Sequence, residues 1–416
     1  MNMKFKDFAE INPKVKLIKG EEYPFVEMGE ITPGRRYVTT GQNREFGGGG
    51  TKFESGDTLF ARITPCLENG KISQFKASLG TKAFGSTEFF VFRGRQGVSD
   101  SSFIYYFSSS DLIKKTAEKS MSGASGRQRA DLKAVEEFEF TFPPLEIQRK
   151  IASTLSAYDD LIENNARRIK TLEEMAQMIY REWFVNFRFP GYEKAKMVDG
   201  SIGTHSTSSL PNASLQQIPE GWVVKPVTEA VDVNPRMRVP KEAEKPFLPM
   251  GCLSNDSMLV SNVEYRSGNS GSKFKNGDTL FARITPCLEN GKTGFVQFLP
   301  TYEATAFGST EFIVLRSREL CPEYVYLMAR SDEFRDNAIK SMSGASGRQR
   351  VSEKCFEQFF IAQPDSQTLK LFAAQVSPMF KAIHVLAKKN QNLRLTRDLL
   401  LPKLISGEVA VSDVTF

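Results

Sequence analysis

Two identical polar segments carry the residue types best suited to binding chemistry. Both read SMSGASGRQR, at residues 120–129 and again at 341–350. Small residues let a backbone approach phosphate closely, and arginine and glutamine side chains donate hydrogen bonds to phosphates and base edges. The segments therefore predict nucleic-acid contacts, while a polar surface loop that caps a helix is the alternative left open. The residues concerned are Arg127, Gln128, Arg129, Arg348, Gln349 and Arg350.

A second pair of identical segments adds further cations. GDTLFARITPCLENGK occurs at residues 56–71 and at 277–292. Phosphate contact fits the basic residues of these segments. A structural hairpin that turns at Pro65 and Gly70 fits them equally well. The basic residues are Arg62, Lys71, Arg283 and Lys292.

Catalytic and metal-binding patterns are missing from the sequence. Of the 416 residues only two are histidines, His205 and His384, and they do not occupy equivalent positions. Zinc-ligand spacings and the phosphate-loop motif do not occur. We therefore predict no catalytic residue, no metal ligand and no cofactor in this chain.

Composition and charge limit the kinds of partner and the cellular location that we expect. The 55 Lys+Arg residues exceed the 49 Asp+Glu residues slightly, so an anionic partner is permitted but not required. The five cysteines form no C-x-x-C pair, which is typical of reduced thiols. No apolar run reaches the roughly 20 residues of a membrane-spanning helix. We expect a soluble, cytoplasmic protein without a membrane partner.

The identical segments belong to an internal repeat with an offset of 221 residues. AFGSTEF also recurs, at 83–89 and 306–312, although the loops around it differ in length. A period this long is far from that of a solenoid, so each copy is predicted to be a domain with a trailing segment. Strands are expected at 58–63 and 87–92, and a helix at 102–119.

The trailing segments carry heptad seams that predict two long helices. Apolar positions alternate in steps of four and three residues in both copies. A pseudo-twofold relation between the copies would set the helices antiparallel, and Asn165 and Asn390 would help to fix their register. Pro378 is expected to kink or start the second helix. The seams are Ile151, Leu155, Tyr158, Ile162, Asn165, Ile169, Leu172, Ala176, Ile179 and Trp183, then Phe372, Val376, Met379, Ile383, Leu386, Asn390, Leu393, Arg397, Leu400 and Leu404.

The predicted fold class is α+β, with two tandem recognition domains separated by two long helices that form an antiparallel coiled coil. The Gly-, Ser- and Pro-rich stretch between the copies is interpreted as a surface linker. The predicted boundaries are a first domain at 1–142, a long helix at 143–190, the linker at 191–221, a second domain at 222–363 and a C-terminal helix at 364–410.

With this organisation the sequence resembles the specificity subunits of Type I restriction-modification enzymes. FPPLEIQRKI at 142–151 resembles the family's entry into its central helix, and EWFVNF at 182–187 the end of that helix. IPEGW at 218–222 is similar to the usual lead into a recognition domain, and RDLLLPKLISGE at 397–408 to the C-terminal signature. The second domain departs from the pattern, because AQPDSQ at 362–367 replaces the Pro-Pro-Leu-Glu form.

The resemblance implies partners and cofactors that lie outside this chain. The helices would bind two modification subunits, which use S-adenosylmethionine to methylate adenine in double-stranded DNA. A restriction subunit that uses ATP and Mg²⁺ would join them. Each recognition domain would read one half of a bipartite site in the major groove, and the helices would set the unread spacer.

Identical residues cannot distinguish two different half-sites. Discrimination is therefore expected in the divergent stretches, 14–52 with 72–82 in the first copy and 236–273 with 293–305 in the second. Because the shared blocks are so alike, the two half-sites should be related. The candidate DNA-contacting cations in the divergent stretches are Arg35, Arg36, Arg44, Lys52 and Lys273.

Two other functions stay open. A stand-alone DNA-binding regulator would bind DNA tightly without a partner. A coiled-coil scaffold would not need the preserved Gly- and Arg-rich loops.

Overall fold

The computed structural model of the chain describes residues 2–124, 126–202, 205–206, 215–345 and 347–414. Contacts divide the chain into two compact units. Unit 1 contains Met1–Asn164 and Asn390–Phe416, and unit 2 contains Asn165–Lys389. Each unit thus holds one copy of the repeated domain together with a segment of both trailing helices.

Unit 1 contains short strands grouped into two main sheets. The first sheet has the strand order β2-β10-β7-β8-β4, the second β5-β3-β9-β6, and β1 pairs with β11. The bounds of β1 to β11 are Asn2–Lys4, Ala9–Ile11, Glu22–Val26, Tyr37–Val38, Asn43–Glu45, Thr51–Glu54, Thr58–Ala61, Ile72–Phe75, Lys82–Gly85, Phe89–Gly94 and Glu139–Thr141.

Unit 2 repeats this topology. Its main sheets have the orders β17-β24-β21-β22 and β19-β18-β23-β20, and β16 pairs with β25. The equivalent sheets therefore connect equivalent strands in the same order, except that β4 has no counterpart among the described strands of unit 2. The bounds of β12 to β25 are Met197–Asp199, Ser201–Ile202, His205–Ser206, Gln217–Pro219, Val223–Pro226, Val231–Val233, Lys245–Leu248, Glu264–Arg266, Ser272–Lys275, Thr279–Ala282, Thr293–Phe295, Thr305–Gly308, Phe312–Ser317 and Phe360–Gln363.

The helices α1 to α8 surround the sheets or follow them. Their apolar residues complete the cores, and Phe103, Ile104 and Phe107 of α2 are fully buried in unit 1. The bounds are Phe5–Phe8, Ser101–Ser109, Asp111–Lys119, Leu132–Glu136, Leu145–Tyr180, Pro322–Arg330, Asp332–Lys340 and Ser366–Ser406.

The single helix predicted at 102–119 is wrong in one respect, because the structure has two helices there. Ser110 adopts an extended backbone with φ −76° and ψ 158° between α2 and α3. Its hydroxyl donates to the carbonyl oxygen of Phe107 at 2.6 Å, which satisfies the end of α2. Serine competes well for backbone hydrogen bonds at helix ends, so the chain turns here without a glycine or proline.

The predicted heptad seams are confirmed, since every seam residue is buried or half-buried. In unit 1 the two helices pair antiparallel. Asn390 Nδ2 donates to the carbonyl oxygen of Ile162 at 3.1 Å, and Arg397 forms an ion pair with Asp159. In unit 2 the ring of Phe372, near the start of α8, lies 5.7 Å from that of Trp183, beyond the end of α5.

The start of the second long helix differs from one of the predictions. α8 begins at Ser366 and continues through Pro378, so the proline does not start it. Asp365 begins the helix instead, because its carboxylate accepts from the backbone N–H groups of Gln367 at 2.9 Å and Thr368 at 3.0 Å. Capping of the first free N–H groups thus fixes the boundary despite the missing Pro-Pro-Leu-Glu form.

The predicted linker, 191–221, lies partly outside the described residues. Within its described part, β12 pairs antiparallel with β15, so Val198 lies opposite Ile218. The predicted α+β fold with two repeated domains and two long antiparallel helices is confirmed. Within the described residues, no helix has the length and apolar character needed to cross a bilayer.

Candidate nucleic-acid interface

The three repeated sequence blocks meet at one place in each unit. In unit 1 the turn between β7 and β8 docks on the loop that follows α3. The backbone N–H of Thr64 and its hydroxyl both donate to the carbonyl oxygen of Gln128 at 3.0 Å. In unit 2 the N–H of Thr285 donates to the carbonyl oxygen of Gln349 at 3.1 Å. Mutual contact therefore explains why the blocks are preserved together.

The loop closes as a small hydrogen-bonded ring. Ser122 and Arg129 exchange two backbone hydrogen bonds of 3.0 and 2.9 Å, and Ser343 and Arg350 exchange the equivalent bonds in unit 2. Gly123 has φ +123°, a conformation that L side chains rarely adopt. A Cβ at Gly123 would also lie 3.3 Å from the carbonyl oxygen of Arg127, so glycine is required at the closure.

Glu88, from the third block, anchors the loop. Its carboxylate accepts hydrogen bonds from Arg129, through Nε at 3.0 Å and Nη2 at 2.6 Å, and from Arg62 Nε at 3.3 Å. In unit 2, the Glu311 carboxylate accepts the equivalent hydrogen bonds from Arg350, with Nη2 at 2.6 Å. Arg129 and Arg350 are therefore committed to holding the loop.

The carboxylate anchor should make the stability of unit 1 depend on pH. The hydrogen bonds from Arg129, the largest influence, hold the pKa of Glu88 below its usual 4.5. The stabilisation is therefore complete above pH 4.5 and is lost as the pH falls through the lower folded-state pKa. We expect Glu88→Gln to remove this acid-dependent part, about 1 kcal/mol or less.

Thermal unfolding measured from pH 7 to pH 3 checks this prediction. The matched control is Glu45→Gln, which removes an exposed carboxylate of the same unit. An unchanged acid dependence in Glu88→Gln would contradict the anchoring role.

Arg127 and Arg348 are the uncommitted cations of the two loops. Both side chains are exposed, and neither guanidinium has a hydrogen-bond or ion-pair partner among the described residues. Gln128 and Gln349, half-buried beside them, use their backbone carbonyls to hold the turn. The loops therefore present one free arginine each, fixed at its base by the Arg–Glu anchor.

The lysines of the second block are engaged by the fold. Lys71 Nζ donates to the carbonyl oxygen of Met28 at 2.7 Å, and Lys292 Nζ to that of Met250 at 3.3 Å. Each carbonyl begins a short 3-10 turn. The hairpin reading of this block is also confirmed, because β7 and β8 pair antiparallel and Gly70 has φ +69° in the connecting turn.

Part of the sequence identity belongs to the framework. Asp57 is 1% exposed and accepts two 2.7 Å hydrogen bonds from Arg93. Asp278 and Arg316 form the equivalent bidentate pair in unit 2, also at 2.7 Å. The aspartate of the GDTLFAR segment is therefore the same in both copies because it forms a buried ion pair in each unit.

Two neighbouring cavities form a groove in unit 1, and the second of them lies beside the anchored loop. One part, of about 610 Å³, is lined by Phe25, Glu27, Phe84 and glycines of the 47–50 segment. It shares Gly50 and Thr87 with a second part of about 410 Å³. The second part carries the cations Lys14, Lys52 and Arg62. The basic second part lies next to Glu88, and so next to the loop.

The predicted cations of the divergent stretches have different environments. Arg35 is exposed, and Lys52 lies 5.0 Å from the ring centroid of Phe46. Arg44 lies over Phe25 and pairs with Glu27. In unit 2, Lys273 is half-buried on β20.

Arg36 requires a correction, because its burial is incompatible with the predicted DNA contact. It is 5% exposed and donates to Gln74 Oε1 at 3.1 Å, to Ser102 Oγ at 2.8 Å and to the hydroxyl of Tyr106 at 3.3 Å. Arg36 therefore serves the interior of unit 1.

Sequence reasoning missed three residues of these sites. Glu88 and Glu311 lie in the repeated AFGSTEF block, and an acidic residue preserved in both copies was a usable signal. Arg266 was missed because its segment shares little sequence with that around Arg44. It nevertheless lies over the ring of Phe247 at 4.2 Å, as Arg44 lies over Phe25 at 4.2 Å.

Comparison with known proteins finds similarity to Type I restriction enzyme specificity subunits. A family model described as the Type I restriction modification DNA specificity domain matches residues 1–174. The Type I restriction enzyme MjaIX specificity subunit of Methanocaldococcus jannaschii is 23% identical over 326 residues, which cover 76% of this chain and 70% of the relative. The HindI specificity subunit of Haemophilus influenzae is 24% identical over 413 residues, covering 86% and 87%.

A solved structure shares the fold. The S subunit of a Type-I restriction-modification system from M. genitalium superposes with a TM-score of 0.50 at 15% identity, covering 97% of this chain and 96% of that one. The relatives match over most of their length, and the internal repeat carries the features of the matched first domain into unit 2. Residues 1–174 thus match the Type I restriction modification DNA specificity domain, and the chain is similar to Type I restriction enzyme specificity subunits over most of its length.

Proposed function

We propose that this chain is the DNA-reading subunit of a Type I restriction-modification complex, in which each unit reads one half of a bipartite site. The observation that carries the proposal is the duplicated loop. Each unit fixes a Gly- and Arg-rich loop with an Arg–Glu anchor, and a second exposed arginine of the loop, Arg127 or Arg348, has no ion-pair partner among the described residues. A positively charged side chain on a short, fixed loop suits a DNA phosphate.

Phosphate contact and base reading are assigned to different parts of the site. Arg127 and Arg348 position the duplex, because phosphate contacts carry no sequence information of their own. The groove that continues from Lys14 and Lys52 past Gly50 faces base edges. Because the segments beside the loops diverge between the copies, the two half-sites differ in at least some of their bases.

The long helices supply the docking surface for partner subunits and set the spacer between the half-sites. α5 has 36 residues and is about 54 Å long at 1.5 Å per residue. Each unit also exposes apolar side chains on its helical segments, which suits one modification subunit for each unit. These side chains are Leu161, Leu395 and Leu399 in unit 1, and Met175, Met178, Leu371 and Val385 in unit 2.

The partners perform the chemistry under this proposal. The modification subunits bind S-adenosylmethionine and turn the target adenine out of the duplex for methylation. The restriction subunit uses ATP and Mg²⁺. This chain contributes sequence recognition and assembly.

Co-expression with the modification subunit, followed by genome-wide mapping of methylated adenines, tests the proposal. A split motif with a constant spacer, present only when this chain is present, is the expected result. Tight, specific DNA binding by the chain alone, without any change in methylation, would favour a stand-alone regulator. Neither methylation nor DNA binding would favour a coiled-coil scaffold.

The double variant Arg127→Ala/Arg348→Ala tests the loop itself. We expect weaker binding of the assembled complex to specific and non-specific DNA alike, since phosphate contacts are common to both. The slope of log K against log salt concentration should fall in magnitude by about 1.8, or about 0.9 for each lost contact. Fluorescence anisotropy across a salt series measures both quantities.

A matched control removes the same charge outside the loop. Lys119→Ala/Lys340→Ala changes two exposed lysines at equivalent positions, the last residues of α3 and α7. A control with the same loss of slope would show that general surface charge, rather than the anchored loop, is responsible.

A further inference from the structure

Arg44 and Arg266 occupy the same place in the two units, although their segments differ in sequence. Arg44 lies on the edge strand β5 opposite Tyr23 of β3, and Arg266 on the edge strand β19 opposite Lys245 of β18. The two edge strands hold equivalent positions in four-stranded sheets of the same order. The two arginines therefore lie on equivalent strands at the same register position.

Both guanidinium groups pack against the protein in the same way. Each lies over a phenylalanine ring of the neighbouring strand at 4.2 Å, Phe25 for Arg44 and Phe247 for Arg266. A ring platform restricts the side chain and holds its plane. The arrangement leaves Arg44 45% exposed and Arg266 53% exposed.

Each guanidinium is also paired with a carboxylate, and the two carboxylates come from different positions. Arg44 Nη2 pairs with Glu27, which follows β3, and Arg266 Nη2 pairs with Glu264 of β19 at 2.5 Å. Different neighbours thus produce the same result in the two units. Nε and Nη1 of both arginines have no acceptor among the described residues.

This chemistry suits a neutral ligand better than an anion. The carboxylate offsets the positive charge, which weakens attraction to phosphate, but the oriented N–H donors remain. The base edge that accepts two parallel hydrogen bonds from arginine is that of guanine, through O6 and N7. A phenylalanine ring that holds the guanidinium plane in place lowers the entropy cost of binding such an edge.

The position next to the groove agrees with this assignment. Phe25 and Glu27, which hold Arg44, both line the larger part of the groove in unit 1. The exposed residues beside the arginines differ between the units, Asn43 against Tyr265 and Glu45 against Ser267. The arginine is thus a shared element among differing neighbours, as a base common to both half-sites would require.

We propose that Arg44 and Arg266 each read one guanine, at the same place in the two half-sites. This inference rests on the proposed function. It adds one specificity-determining residue to each unit, distinct from the phosphate-positioning Arg127 and Arg348.

Methylation mapping with the complete complex tests it, using Arg44→Ala, Arg44→Lys and Arg266→Ala. We expect Arg44→Ala to lose discrimination at a single guanine of one half-site by about 10- to 100-fold, while the other half-site is read normally. Arg266→Ala should relax the corresponding guanine of the other half-site. Arg44→Lys should also relax recognition of the guanine read by Arg44, because an ammonium group keeps the charge but lacks the two parallel N–H donors.

Arg95→Ala is the matched control, since Arg95 is an exposed arginine of the same unit that lies outside the divergent stretches and the candidate DNA contacts. It should leave the motif unchanged. If Arg44→Ala instead weakens methylation of all sites equally with an unchanged motif, Arg44 contacts phosphate and the inference is overturned. An unchanged motif at unchanged strength overturns it as well. A wild-type complex that methylates no split motif would overturn the proposed function, and this inference with it.

Discussion

Replacing Asp159 with asparagine should destabilise unit 1 by about 3–5 kcal/mol. Asp159 is 6% exposed, accepts a 2.6 Å hydrogen bond from the hydroxyl of Tyr106 and pairs with Arg397, which is 7% exposed. Loss of the carboxylate charge would leave the buried Arg397 guanidinium with only Asp398, which is 61% exposed, as an ion-pair partner, so its charge would be poorly compensated. An uncompensated buried charge is among the costliest single changes in a protein interior.

The equivalent place in unit 2 shows that the fold does not require this charge pair. At the repeat offset, Phe380 stands where unit 1 has Asp159, and Ala176 where it has Arg397, and both are buried. Met258 replaces Arg36, because its carbonyl oxygen accepts from Phe295 N–H as that of Arg36 accepts from Gln74 N–H. Unit 1 therefore has a buried polar network at a place that is apolar in unit 2.

Hydrogen exchange of α2 and α3 in unit 1 measures the effect, because opening of the unit exposes these helices. The control Asp160→Asn changes the adjacent carboxylate, which is exposed, and should have little effect. The double variant Asp159→Asn/Arg397→Met should lose less stability than the sum of the single variants, since it removes both charges. Strictly additive losses would contradict the coupling of Asp159 to Arg397.

Phe184→Ala should destabilise unit 2 by a similar amount, about 3–5 kcal/mol. The ring of Phe184 is 6% exposed and has its centroid 4.6 Å from that of Tyr324, 4.7 Å from Phe372 and 5.9 Å from Trp222. Truncation would leave a cavity among rigid aromatic neighbours, which cannot collapse to fill it. The packing of both long helices in this unit depends on these rings.

Tryptophan fluorescence during denaturant unfolding reports this change selectively. The chain has two tryptophans, Trp183 and Trp222, and both lie in unit 2. Met178→Ala is the control, because Met178 is 59% exposed on α5, which ends before Phe184, and its truncation should change the stability by less than about 0.5 kcal/mol. A loss below about 1 kcal/mol for Phe184→Ala would mean that the aromatic cluster does not support the unit.

Local sequence determined the elements and their repetition. The offset of 221 between identical blocks predicted two copies of one domain, and the steps of four and three residues predicted the seam positions of α5 and α8. These predictions succeed because helical periodicity and turn residues act between near neighbours. The break at Ser110 was not predicted, since a serine with its own backbone hydrogen bond leaves no clear mark in the pattern.

The roles of the site residues were decided only by the tertiary structure. Arg127 and Arg129 are two residues apart and both are exposed, yet Glu88, from a distant strand end, forms an ion pair with Arg129 and not with Arg127. Arg36 and Arg35 are adjacent, and packing against α2 and α5 buries only Arg36. The equivalence of Arg44 and Arg266 depends on strand register, which few local identities record. The sequence determined which side chains were available for binding. Contacts between segments far apart in the chain decided which of them remain exposed to a partner, because burial and ion pairing depend on how those segments pack.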